Sequence, residues 1–420
     1  ISAFNFALVG VLLAYVFRYM ADTRFASLGP MIRRTRLDRN LFAFGLLVIL
    51  SCLRSFNLNT DPHVVVATAV SLKEHVLYFV WFYMVVTLLR TPKDLRRFAM
   101  FFAIAGLIVS FFGMATRLMG GAGGITAGTV EPTAAEGAGG RMQGGWLGLG
   151  HPNMFAALLL MTVPIWFFAV SHLKHGIRRI VAEVAVINGF LGLLFTYSRS
   201  AWIGSMLGVG LVGLADKKSL QRIILFGFIF AIAAQIIVLF TIDTNLADVV
   251  INRFAQLGTS TFSARPYVYA SAIQVIRDYP LMGVGLGAFQ AHAPALPMGW
   301  VPSHAHNVYL GYAAEAGIPV AFFFVIFVIR ILWTSVRNLR VVGRLPGYGF
   351  IALGSCAAFL GLIVQSMAVL IFRQPILGFG FYALAAIVVA LDRMIKEGQF
   401  HELEGVEPGA RSTRDPWIGS

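Results

Sequence analysis

The chain has 420 residues, 58% of them hydrophobic and 12% charged, about half the charged share of a soluble domain. Its net charge is +14. The basic residues fall in short loops between apolar runs, which argues for a membrane protein and against a nucleic-acid-binding surface. The two cysteines, Cys52 and Cys356, both lie in apolar runs and offer neither a disulfide framework nor zinc-ligand spacing.

The apolar runs are continuous rather than alternating, so they predict helices that cross a bilayer and not strands. About eleven spans are expected, at 1–19, 40–57, 64–89, 98–118, 153–170, 180–196, 201–215, 223–241, 306–334, 348–371 and 375–392. The fold class is all-α: a polytopic transmembrane helical bundle over residues 1–396. The chain opens at Ile1 inside an apolar run, so more N-terminal sequence is expected, and no cleavable signal peptide is visible. The polar stretch 397–420, with Pro408 and Pro416, reads as a disordered cytoplasmic tail.

Sorting the loops by Lys and Arg fixes an orientation. Basic loops carry Arg24 to Arg39, Arg90 to Arg97, Lys174 to Arg179, Lys217 to Arg222, Arg337 to Arg344, and Arg393 with Lys396. They alternate with basic-poor loops, so they are expected on the cytoplasmic side. The opposite side holds two long segments, 119–152 and 242–305, the second expected to carry short helices at the membrane surface.

A few basic residues remain on that extracytoplasmic side: Arg54, Lys73, Arg117, Arg141, Arg199, Arg253, Arg265, Arg277 and Arg373. A charge held near a bilayer either snorkels to the headgroups or faces a cavity or a partner. Snorkelling suits Arg54 and Arg117. Arg199, Arg265 and Arg373 instead suggest a shared anionic ligand, because guanidinium groups match phosphate oxygens. Lys73-Glu74-His75 lies inside a span. An internal ion pair or a ligand-binding role both account for it.

Ser303-His-Ala-His-Asn307 marks the join between the second long segment and the next span. If it forms the first helical turn, Ser303 is a candidate N-cap. Glu315 follows on the same segment, and Gly317 with Pro319 should break it into a short dipping helix and a full span. A histidine here can serve as general base, as hydrogen-bond donor to phosphate, as metal ligand together with His151, or simply be satisfied by local backbone. The outer segments lack an ordered acidic cluster, so no metal is expected. Gly283-Val-Gly-Leu-Gly287 sits in no βαβ unit and reads as a tight turn that lets its loop pack closely.

His306-Asn307 followed after nine residues by Gly317 resembles the signature of the O-antigen ligase superfamily, with Val320 a mild departure from it. That group takes in lipopolysaccharide O-antigen ligases, O-antigen polymerases and protein O-oligosaccharyltransferases. Ser198-Arg-Ser-Ala-Trp202, Ser263-Ala-Arg265, Asp278-Tyr-Pro280, and Arg141 followed by His151-Pro-Asn153 agree with it in order. The resemblance implies about twelve spans in the full-length protein and a metal-independent inverting glycosyltransferase without cofactor. The donor would be a glycan on undecaprenyl diphosphate, used at the periplasmic face of the bacterial inner membrane. The acceptor would be lipid A-core, or else a repeat unit or a protein. By matching motif, His306 would be catalytic, with Arg199 and Arg265 on the diphosphate. Arg141, Arg373, Lys73, His304, Asn307 and Glu315 are further candidates for binding diphosphate or glycan. A lipid-linked glycan transporter is the competing class, but it would favour mid-membrane ionisable groups and repeat symmetry.

Overall fold

The computed structural model describes residues 33–118, 151–196, 198–214, 221, 261–296, 299 and 301–400. Among them are twelve α-helices. In chain order these are α1 Asp38–Leu58, α2 Pro62–Leu88, α3 Pro92–Leu118, α4 Pro152–His172, α5 Ile177–Phe195, α6 Arg199–Gly213, α7 Thr261–Asp278, α8 Phe289–His292, α9 Val308–Glu315, α10 Ile318–Val342, α11 Gly349–Ser366 and α12 Pro375–Lys396, with a 3-10 turn at Ile371–Arg373 before α12. Seven helices (α1 to α4 and α10 to α12) are long and apolar enough to cross a membrane, which makes this a multi-pass membrane protein.

The expected eleven spans are thus not all met. The segment at 201–215 becomes α6, whose 15 residues reach only about 22 Å, short of the ~30 Å hydrocarbon core. The segment at 180–196 becomes α5, which carries Arg178, Arg179 and Glu183 in its first two turns. The segments 1–19 and 223–241 lie outside the described residues.

Helix α4 has no charged side chain and is buried along almost its whole length, as expected for a helix that is apolar on every side. It packs against α3, α5, α6 and above all α11. Gly204 and Gly208 of α6 abut the α11 backbone at Gly361 and Ala357, where a Cβ would collide. That pairing runs α6 antiparallel to α11, so Arg199 lies at the same level as the C-terminal end of α11. Helices α2, α10 and α12 close the other half of the bundle, with α1 against α2 and α10.

At the end of the bundle that carries the basic loops, several charges are paired. Asp392 bonds both Arg337 and Lys396, and Glu397 approaches Arg393 and Arg33 at 3.7 and 3.6 Å. Arg393 also donates to the last carbonyls of α2, at Val86 (2.9 Å) and Leu89, acceptors that no intrahelical N–H reaches. Phe400, expected in the disordered tail, is buried and packs edge-on to Tyr348.

Candidate functional site

The stretch 306–334 is broken at Gly317, as its Gly317 and Pro319 predict, and the break builds the site. Helix α9 ends at Glu315 and α10 begins at Ile318. Gly317 between them has φ +96°, and a Cβ there would collide with the Leu281 carbonyl, so only glycine fits. The glycine-rich loop 283–287 wedges against this break. Gly285 N donates to Glu315 O at 2.6 Å, and Ile318 N donates to Pro280 O at 2.8 Å. On its far side the loop is held by α1, where Ser51 and Ser55 donate to the carbonyls of Met282 (2.6 Å) and Val284 (2.9 Å). The close packing expected of this loop is therefore present.

The start of α9 differs from expectation. Asn307, not Ser303, is the N-cap: its side-chain oxygen accepts from Tyr309 N at 2.9 Å and Leu310 N at 3.1 Å. One carboxamide satisfies two of the free N–H groups of the first turn, so helix begins only after it. His306 is left outside, at φ +52°, the one non-glycine residue with positive φ among the described residues. A side chain in that region costs about 1 kcal/mol or more and persists where the surroundings impose it. Asn307 thus has a capping role that the sequence reading did not give it.

Basic groups from four parts of the chain gather around His306. The His304 ring lies 3.9 Å from it, centroid to centroid. Arg373 Nη1, from the 3-10 turn, lies 2.6 Å from His304 Nδ1, and Ser303 Oγ lies 2.7 Å from the same atom. A guanidinium can only donate, so His304 Nδ1 accepts and the ring's proton belongs on Nε2. Burial pushes His306 down to about 4, helped by the positive charge of Arg265 on α7, and by His151 and Arg373. Burial likewise pushes His304 down to about 3, with His306, Arg373 and His151 adding to the effect. Both imidazoles are therefore neutral at pH 7. His151 caps α4, accepting from Asn153 N at 3.2 Å.

Below this basic rim lies a cavity of about 350 Å³ between α2, α9, the glycine loop and the 3-10 turn. Its lining runs from exposed Ser303 and Arg373, past His304, to buried His75. His75 lies 13 residues into α2 from Pro62, roughly 20 Å along the axis at 1.5 Å per residue. The short helix α9 reaches that depth, since Tyr312 Oη meets His75 Nε2 at 2.9 Å, while His75 Nδ1 meets Ser71 O at 2.7 Å. Glu315 is buried on the cavity wall and accepts from Gly287 N at 2.9 Å. Burial raises its carboxyl to about 7 against the lowering effect of the Gly287 and Phe289 N–H groups and Arg373.

The expected site residues divide as follows. His304, His306, Arg265 and Arg373 come together. Arg199, at the first turn of α6, lies at this end of the bundle by the α6–α11 pairing. Glu315 lines the cavity. Lys73 does not: it is exposed on α2, one residue and therefore about 100° round from Glu74. Arg141 lies outside the described residues. Among the described residues no three His, Cys, Asp or Glu side chains are grouped to hold a metal ion. The sequence reading did not name His75, Tyr312 or Gln290 as site residues, and it left Glu74 open between an internal ion pair and a ligand-binding role. Glu74, His75, Tyr312 and Gln290 all line the cavity.

Residues 184–325 match the family model described as O-antigen ligase. The chain carries an O-antigen ligase family domain. This domain includes Arg199, Arg265, the glycine loop, both histidines and α9, whereas α2 and Arg373 lie outside the matched residues. No curated protein matches the chain.

Proposed function

We propose that this O-antigen ligase family protein transfers a glycan from undecaprenyl diphosphate to a hydroxyl of lipid A-core, at the periplasmic face of the inner membrane. The observation that carries the reading is the gathering of Arg265, Arg373 and His304 around His306, at the end of the bundle opposite the paired charges. A lipid diphosphate is a good leaving group once its charge is offset. Arginines do this without a divalent ion, because each guanidinium meets two oxygens at fixed spacing. Arg265 and Arg373, with Arg199, hold the diphosphate and stabilise the charge that builds on it as the glycosidic bond breaks.

His306 is the general base. It takes the proton of the acceptor hydroxyl, which attacks the anomeric carbon opposite the leaving diphosphate and inverts it. Its pKa is lowered first by burial and then by the charges of Arg265, His151 and Arg373. The bound diphosphate cancels the field of the two arginines, so the imidazole becomes more basic once donor is present.

The test is transfer by purified protein in EDTA, with an undecaprenyl-diphosphate glycan as donor and lipid A-core as acceptor. The expected product is the glycosylated core with inverted anomeric configuration. Failure to form it, with product appearing instead on donor glycan or on a protein, would reassign the acceptor. No product with any acceptor would overturn the reading.

A further inference from the structure

The cavity beneath the histidines divides its charge in a way that diphosphate binding does not explain. The mouth is basic, with Arg373 donating to neutral His304. The wall carries two carboxylates, Glu74 and Glu315. Glu74 has no hydrogen bond or ion pair among the described residues, although it sits within a membrane-crossing helix and next to Lys73 in sequence. Carboxylates in such a place are expensive and usually serve a ligand. A diphosphate is attracted to the mouth by Arg373, whereas the wall below offers it acidic side chains and no cation.

What the wall suits is a polyhydroxylated neutral group. Carboxylate oxygens are acceptors for hydroxyl protons, and Gln290 and His75 add further polar lining, while Tyr312 and Phe372 offer flat apolar faces. The volume of about 350 Å³ corresponds to about twelve waters at ~30 Å³ each, which is room for one sugar ring with its substituents. The cavity starts at the rim, so a ring in it adjoins a diphosphate held by Arg373.

We propose that this cavity is a subsite for one uncharged sugar ring, belonging to the donor glycan or to its acceptor, and that Glu74 reads the ring's hydroxyls. The proposal rests on the glycosyl-transfer reading above. It makes Glu74 a specificity residue outside the matched family domain, contributed by α2. Glu315, already fixed by Gly287 N, lines the same cavity.

The test uses the full chain in lipid nanodiscs, with Glu74→Gln to remove the charge and Ala67→Phe to fill the cavity, each checked for an unchanged Tm. Two probes are titrated: undecaprenyl diphosphate alone, and the same lipid bearing one N-acetylglucosamine. If the ring is the donor's, wild type binds the sugar-bearing lipid about tenfold more tightly, or ~1.4 kcal/mol. Both variants lose that gain and bind the bare lipid as wild type does. If the ring is the acceptor's, the two lipids bind alike, and in the transfer assay both variants raise the acceptor KM about tenfold with kcat held. Wild-type behaviour of both variants in both assays overturns the subsite while leaving the transfer reading intact. If wild type binds neither lipid, the transfer reading itself falls, and the subsite with it.

Discussion

The two ends of the bundle use similar residues to opposite purpose. At the basic-loop end, Arg337, Lys396, Arg393 and Arg33 each reach a carboxylate or a helix-terminal carbonyl. At the histidine end, Arg265 and Arg373 reach no carboxylate among the described residues, and Arg373 instead donates to a neutral imidazole. Charges that already have partners hold helices together. Cations gathered with no carboxylate in ion-pair contact are costly and become favourable when an anion arrives.

That contrast can be broken most sharply at His306. His306→Ala should lower glycan transfer by about 10²–10⁴-fold, the usual contribution of a general base, while membrane insertion and Tm stay near wild type. Retained transfer would remove the histidine from the chemistry. A smaller effect is expected at the arginines. Arg373→Ala should raise the donor KM by about 10- to 100-fold, as loss of a charge-assisted hydrogen bond predicts, with little change in Tm.

At the other end the signs reverse. Asp392→Ala strands Arg337 and Lys396 and should cost about 1–3 kcal/mol of stability, a value reduced from that of a fully buried pair because both cations are partly exposed. Its transfer rate per folded molecule should hold. A large activity loss without a Tm change would erase the distinction between the two ends.

The pH dependence of stability sharpens the comparison further. His304 and His306 have folded-state values depressed to about 3 and 4 from 6.5. Between about pH 4 and 6.5 the unfolded chain binds more protons, so these histidines make stability fall as pH is lowered through that window. Glu315 acts in the opposite sense. Its value is raised from 4.5 to about 7, so its contribution is present below pH 4.5 and is lost as pH rises toward 7. Glu315→Gln should therefore steepen the gain in Tm from pH 4.5 to 7, and thermal melts across that range check it. Lys73→Gln should have the smallest effect of all, under about twofold on transfer, as befits an exposed side chain outside the cavity.

Much of this architecture is legible in the sequence. The break at Gly317, the close-packed glycines 283–287 and the separation of the two ends all follow from residue types with narrow conformational or solvation preferences. The helix start at α9 was less so. Ser303 and Asn307 are both good caps, and only the left-handed turn at His306 decides between them. The cavity was least legible. Glu74 and His75 meet Tyr312 and Glu315 across more than 200 residues of chain, and apolar side chains surround α2 so evenly that spacing does not reveal which face is lined. Lys73 drew attention because a charge inside a span is conspicuous, but its neighbour two positions on, His75, is the residue that meets α9.

The most direct measurement is the affinity of bare undecaprenyl diphosphate, in EDTA, for wild type, Arg265→Ala, Arg373→Ala and the double variant. If the histidine end is one diphosphate site, each single variant binds about tenfold or more weakly, and the double variant departs from the sum of the two, as groups sharing one ligand do. Equal affinity in all four proteins would contradict the account.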